Sequence, residues 1–304
     1  MIQNDNFFNC YREIIPEFSN FQESIKTPFP NHVRVNTLKA RPDWLIESLQ
    51  KKGIYLEKSF KKDGHLYHAT GLTSPGNLMA YFLGHIHPQA LTSCLASIAL
   101  SPRENSYILD MCAAPGGKTS HLSQLMNNTG LIAANELYPS RHIPLGHTLD
   151  RLGVLNAVIT GYQAQEFPLK QRFDYIMADV PCSGEGRFRK IKAGSAYRET
   201  SGKANLPELQ KKIILRGFDL LKKKGEMIYA TCTYNPEENE SVVNFLLQRR
   251  DVALLPLNLG FDSETGLLEW RNETYDKQLK RAVRFYPHRV NSVGFFMARI
   301  GRSG

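Results

Sequence analysis

The stretch "YILDMCAAPGGKTSHLSQLMNNTGLIAANEL" (107–137) decides the fold class. A short apolar run, YILDMC, gives way to small residues and two glycines. A helix-forming segment follows and closes at Gly130, and a second apolar run, LIAANEL, begins at once. Strand, tight turn, helix and strand in this order form a parallel unit. The alternation continues with "PSRHIPLGHTLDRLG", "LNAVITG" (155–161), "FDYIMADV" (173–180), a helix over 207–225, "EMIYATCT", "EENESVVNFLLQRR", "VALLPLN" and "GFFMARI" (294–300). Apolar strands alternating with helices predict an α/β protein with a doubly wound, mostly parallel sheet. In such sheets ligands sit beyond the carboxyl ends of the strands.

Upstream the pattern differs. Residues 6–24 read as a partly amphipathic helix, "HVRVNTL" (32–38) as a strand, and "PDWLIESLQKKG" (42–53) as a helix ended by glycine. "IYLEKSF" and "HLYHATG" read as strands. This predicts a small N-terminal α+β module over 1–80 and a second domain over 81–304, with the Gly- and Pro-rich 73–89 at the boundary.

Composition narrows the function classes. The chain has 304 residues, 42% hydrophobic and 22% charged, which suits a packed globular protein. No apolar run is long enough to span a membrane, and the N-terminus lacks the basic and apolar regions of a secretory signal. Five cysteines without CxxC pairs argue against a disulfide framework and a zinc site, and for a cytoplasmic protein. A net charge of +9 suits a polyanionic partner.

Chemical residues collect at the expected strand ends. Asp110, Gly116, Gly117 and Lys118 surround the first turn, where glycines admit a close ligand and a helix N-terminus offers free N–H groups. The spacing matches neither GxGxxG nor the GxxxxGK[ST] phosphate loop. Glu136, at the next strand end, suits a ribose diol. Cys182 ends the fourth strand behind Asp179, and Cys232 ends the fifth, so both thiols should face one cleft. No histidine or third cysteine accompanies them, and no metal is expected. A thiolate that adds to C6 of cytosine makes C5 nucleophilic toward a sulfonium methyl. A carboxyl near N3 would stabilise the developing charge.

"LDMCAAPGGKT", "DVPCSGEG", "ATCTYNPEENE", "RVNTLK" and "RFYPHRVNSVGFFMARI" together resemble the Sun (Fmu-like) family of RNA cytosine-C5 methyltransferases, over about residues 32–300. The resemblance implies a seven-stranded methyltransferase sheet and S-adenosylmethionine as cofactor. It implies Cys232 as nucleophile, Cys182 as the helper in product release, Asp179 at the target base, and Lys118 within the catalytic set. Cys112, Ala113, Ala114, Pro115, Gly116, Gly117 and Lys118 would hold the methionine part of the cofactor. Glu136 would hold its ribose, with Arg141 following, and Asp179 would also border the cofactor. Where the family commonly has an adenine-contacting aspartate, "ITGYQAQEF" offers Gln163. The implied partner is structured RNA, ribosomal ahead of transfer RNA, with no membrane and no obligate protein partner. RNA recognition would rest on the N-terminal module and the basic cleft, where Arg187, Arg189 and Lys190 of "RFRKIK" would grip phosphates. "KKKG" (222–225) reads as a helix C-terminus, and the "PEENE" carboxylates as caps of the next helix, with Asn239 and Glu240 also bracing the Cys232 loop. A DNA or small-molecule methyltransferase, and an RNA-binding assembly factor without turnover, are the competing readings.

Overall fold

A computed structural model describes residues 7–59, 65–189 and 205–303. Lys190, one of the expected RNA-gripping residues, lies outside them.

The strands in chain order are β1 (His32–Val35), β2 (Tyr55–Lys58), β3 (Leu66–Thr70), β4 (Ile86–Pro88), β5 (Tyr107–Asp110), β6 (Leu131–Asn135), β7 (Ala157–Thr160) and β8 (Phe173–Asp179). There follow β9 (Leu221–Thr231), β10 (Val252–Leu255), β11 (Glu264–Thr265), β12 (Glu269–Trp270), β13 (Glu273–Thr274), β14 (Val283–Phe285) and β15 (Phe295–Arg302). The main sheet runs β11-β14-β15-β9-β8-β5-β6-β7, with β10 also paired to β15. Pairs from β9 through β7 are parallel; β15 and its other partners are antiparallel. Seven strands from β7 to β14 form the expected sheet, and the short β11 and β10 extend it to nine.

Alternation along the central strands sends side chains to opposite faces. Leu109, Ile176, Ala178, Met227 and Tyr229 pack against Ile213, Ile214 and Phe218 of the helix Leu206–Leu220. Ile108, Met177, Ile228 and Ala230 pack against Leu95, Ala99 and Leu122, from the helices Leu91–Leu100 and Gly117–Leu125. Helices on both faces make the sheet doubly wound. The order reverses at β5, flanked by β6 and β8, and a ligand crevice opens at such a switch point.

The N-terminal sheet is antiparallel in the order β2-β3-β1-β4, with Leu45 and Leu49 of the helix Pro42–Gln50 packed on Val33, Val35 and Tyr67. Its fourth strand lies beyond residue 80, so the expected boundary cuts the module short. Residues 7–25 are not part of it either. The helix expected over 6–24 is broken around Pro16 into Phe7–Tyr11 and Phe18–Ser24, and Phe8, Phe18 and Phe21 pack with Tyr234 and Tyr286 of the main domain. Two buried side chains of "RVN" dock the module. Arg34 donates to Ser120 at 2.8 Å and to Gln124, and Asn36 to the carbonyls of Gly84 and Leu152.

"KKKG" is not a helix end. The helix stops at Leu220 and the chain enters β9 at once, through an irregularity opposite Phe173/Tyr175. Arg302, from the last strand, donates to the carbonyls of Phe218 and Leu221, which satisfies the helix terminus instead. Lys222 pairs with Asp174 at 2.9 Å.

Candidate active site

The turn after β5 leads into the helix Gly117–Leu125, whose first N–H groups lack helical partners. Gly116 adopts φ +102°, and a Cβ there would lie 3.1–3.2 Å from Leu145 and Thr148. Only glycine holds this turn without strain. At the end of β6, Glu136 is buried yet placed by two donors, the Tyr138 amide at 3.1 Å and the Arg141 guanidinium at 3.0 Å. Arg141 also donates to the Ala114 carbonyl at 2.7 Å, which ties the two strand-end loops together. Asn135 adds a further clasp, donating to the carbonyls of Met111 and Tyr162 and accepting from Thr160 and the Tyr162 amide.

Across the switch point, Lys118 Nζ donates to Asp179 Oδ2 at 2.6 Å and to Ser93 Oγ at 2.8 Å. Lys118 is mostly covered, while Asp179 is about a third exposed to the cleft. Burial works against the Lys118 ammonium, but the Asp179 charge and its hydrogen bond outweigh it, and the Lys118 pKa is raised. Asp110, at the end of β5, accepts from Thr119 at 2.7 Å; burial raises its carboxyl to about 6.

The two thiols meet. Cys182 Sγ and Cys232 Sγ are 3.3 Å apart, at the ends of the neighbouring parallel strands β8 and β9. The Cys232 amide also points at the Cys182 sulfur, 3.3 Å away. Hydrogen bonding from Cys182 holds the Cys232 thiol below its usual range, against burial and with help from Arg187 and Lys118. The Cys182 thiol is pushed well up, as the donor in that bond and by burial. The surroundings thus favour the ionised form at Cys232, as a nucleophile needs, and disfavour it at Cys182.

A web of buried polar groups fixes these loops. Ser183 Oγ donates to Thr233 Oγ1 at 2.7 Å, and the Gly186 amide to the Cys232 carbonyl at 2.9 Å. Glu238 accepts from the Ser183 amide and from Gln210, both at 2.9 Å. Asn239 accepts from Thr231 at 2.5 Å and donates to the Thr233 carbonyl at 3.0 Å. Arg284, fully buried, pairs with Glu240 at 2.5 Å and donates to the Tyr234 carbonyl. The carboxylates Glu238 and Glu240 thus brace the loops, and no side-chain bond caps the helix Glu240–Leu247.

Residues 97–301 match the family described as 16S rRNA methyltransferase RsmB/F. The chain belongs to this family. It is 37% identical to a human 28S rRNA (cytosine(4447)-C(5))-methyltransferase over 292 residues, 94% of this chain and 36% of the human protein. It is 32% identical to a tRNA (cytosine(49)-C(5))-methyltransferase of Pyrococcus abyssi, covering 97% of each. A methyltransferase homologue from Pyrococcus horikoshii superposes with a TM-score of 0.82 at 33% identity, covering 93% of this chain and 90% of that one. The chain spans between a third and a half of the length of the eukaryotic rRNA relatives it matches.

The strand-end residues lie at the ends of their strands, as the spacing predicts, and Arg189 departs from its expected exposure. Arg189 is 9% exposed. Its guanidinium lies 3.8 Å from the centre of the Phe29 ring and donates to the Ser292 carbonyl, so it is a packing residue rather than a phosphate grip. Arg187 is exposed beside the cleft. Gln163 is exposed, and its amide oxygen accepts from Gln165 at 2.7 Å. Cys112 is partly covered, and burial raises its thiol well above the usual range. Sequence reasoning missed Ser93, Asn135, Glu185 and Glu238. Their signal was available in one form only, as polar residues next to motifs, which periodicity reads as surface. Among the described residues no group of His, Cys, Asp and Glu is arranged to hold a metal, and no helix is long and apolar enough to cross a membrane.

Proposed function

We propose that this protein transfers a methyl group from S-adenosylmethionine to C5 of a cytosine in structured RNA, with ribosomal RNA the favoured substrate. The convergence of the Cys182 and Cys232 sulfurs to 3.3 Å beside the Lys118–Asp179 pair carries the reading. The name of the matched family and those of several relatives support ribosomal RNA; the archaeal relative named for tRNA keeps transfer RNA as the alternative.

The residues present fit the cofactor. The Gly116 turn keeps the crevice open, the helix start offers N–H donors, and Glu136 presents a fixed carboxylate to ribose hydroxyls. Residues 112–118, Glu136 and Arg141 would hold it, Asp179 would border it, and Gln163 would stand at the adenine end. When bound, S-adenosylmethionine supplies an electrophilic methyl group.

The chain's own residues do the rest. The Cys232 thiolate forms a bond to C6 of the cytosine, and the C5–C6 electron pair moves to C5, which makes C5 nucleophilic toward a methyl donor. Asp179, held by Lys118, faces the polar edge of the ring and stabilises the charge that develops there. Loss of the C5 proton to base restores the double bond and expels the Cys232 sulfur. Cys182, already hydrogen-bonded to that sulfur, stabilises it as it leaves. Arg187 supplies a cation for an adjacent phosphate.

Bisulfite mapping of cellular RNA with and without the protein tests the substrate. Loss of one ribosomal 5-methylcytosine is expected. Loss confined to transfer RNA would reassign the substrate, and unimpaired methylation by Cys232→Ala would remove the assigned nucleophile.

A further inference from the structure

Glu185 sits in the Cys182 loop, 6% exposed, where a carboxylate is costly unless its oxygens are satisfied. Burial is the main cause of its raised pKa. Its three donors come from two separate parts of the chain. Thr233 Oγ1, next to Cys232, donates to Oε2 at 2.8 Å, and the Tyr234 amide approaches the same oxygen at 3.3 Å. Tyr11 OH, from the N-terminal arm, donates to Oε1 at 3.0 Å. Thr233 in turn accepts from Ser183, the neighbour of Cys182. A closed circuit therefore runs from one thiol's neighbour through Thr233 to Glu185, and back along the loop to Cys182.

The arm that delivers Tyr11 is held independently. Phe8 meets Phe188 at 5.6 Å and Tyr234 at 5.8 Å between ring centres, and Tyr286 OH donates to the Ile14 carbonyl. Arg289 pairs with Glu17 at 3.0 Å. The arm thus packs against both catalytic loops and reaches Glu185 in their polar interior through the Tyr11 hydroxyl.

We propose that Glu185 is a positioning residue for Cys232, and that Tyr11 extends this control to the N-terminal arm. Glu185 touches neither thiol; it acts by holding Thr233, and so the backbone that carries Cys232, in register with Cys182. The inference rests on Cys232 being the nucleophile.

The test measures steady-state kinetics together with the rate at which iodoacetamide alkylates Cys232, followed by peptide mass spectrometry on the full chain. A displacement of about 1 Å at a reacting group costs up to about a hundredfold in rate, so Glu185→Ala is expected to lower kcat by about tenfold or more. The alkylation rate should fall by a similar factor, with KM for the cofactor nearly unchanged. Glu185→Gln keeps an acceptor for Thr233 and is expected to restore both rates to within about threefold, with Tyr11→Phe lying between the two. Wild-type alkylation in Glu185→Ala, or a Gln variant as impaired as the Ala variant, would overturn the proposal. If Glu185→Ala fails to fold, Thr233→Val and Tyr11→Phe decide it: slower alkylation in both supports it, and wild-type rates in both refute it. A methylating Cys232→Ala variant would instead sink the nucleophile assignment and leave the alkylation result standing.

Discussion

Replacing Cys182 with alanine should make Cys232 a weaker nucleophile, even though it leaves that residue in place. The structure gives the reason: Cys182 Sγ lies 3.3 Å from Cys232 Sγ, and its proton lowers the cost of charge on the partner. A hydrogen bond to a charged group contributes about 1.5–3 kcal/mol, and a thiol donor belongs at the low end. At about 1.4 kcal/mol per factor of ten, the thiolate population at neutral pH should drop about tenfold. Arg187 and Lys118 remain, so reactivity is reduced and not abolished. Alkylation of Cys232 by iodoacetamide, followed against pH, reads this directly. Its profile should move to higher pH in Cys182→Ala, with the rate near pH 7 down by about tenfold. Given RNA and cofactor, the same variant should accumulate a protein–RNA adduct that survives a denaturing gel, because the departing sulfur has lost its donor. A profile that stays put or moves to lower pH would show that Cys182 does not act as the donor, and the division of roles between the thiols would fail.

Three more outcomes follow from buried charges and one turn. Glu240→Ala strands the buried Arg284 guanidinium, and losing one partner of such a pair costs about 3–5 kcal/mol; a fall in Tm of about 6 °C or more is expected, and an unchanged melting curve would contradict the pairing. Asp110 carries a folded pKa raised to about 6 from 3.8, so the native state holds its proton longer and stability falls as pH rises from about 4 to 6; Asp110→Asn should flatten that part of the curve in denaturant titrations. Gly116→Ala forces a left-handed φ on a residue with a Cβ at 3.1–3.2 Å from Leu145 and Thr148, and should weaken S-adenosylmethionine binding by about tenfold in calorimetry while leaving the Cys232 alkylation rate unchanged.

The sheet was legible because its strands are apolar runs spaced by helices, and that pattern is local. Once the strands were placed, topology alone brought Cys182 and Cys232 to adjacent ends. What stayed hidden was non-local or too short. The strand Ile86–Pro88 is three residues inside a segment rich in turn formers, so no periodicity marks it. The arm's destination depends on Tyr234 and Tyr286, more than 200 positions away from it. "KKKG" carries every local sign of a helix end, yet Arg302, some 80 residues onward, takes that task and frees the segment to begin a strand.

The site shows the same division more sharply. Glu136, Asp179 and Lys118 could be found because each ends a strand or opens a helix, where an ionisable group has an obvious ligand to meet. Glu185 and Glu238 could not, because an acidic residue beside a turn reads as solvated or as a helix cap until its donors are known; Glu240 is expected to brace the Cys232 loop, but the sequence does not show its partner Arg284. Those donors, Tyr11, Thr233, Gln210, the Ser183 amide and Arg284, come from five separate parts of the chain. Each carboxylate would be destabilising alone, and none is alone, so the three together bind the loops of the two thiols to the arm, to the helix Leu206–Leu220 and to β14. A nucleophile that must be partly ionised in a covered cleft needs its neighbours held fixed. Carboxylates tied to donors supply that rigidity, while the cations Arg187 and Lys118 favour the charged form of Cys232.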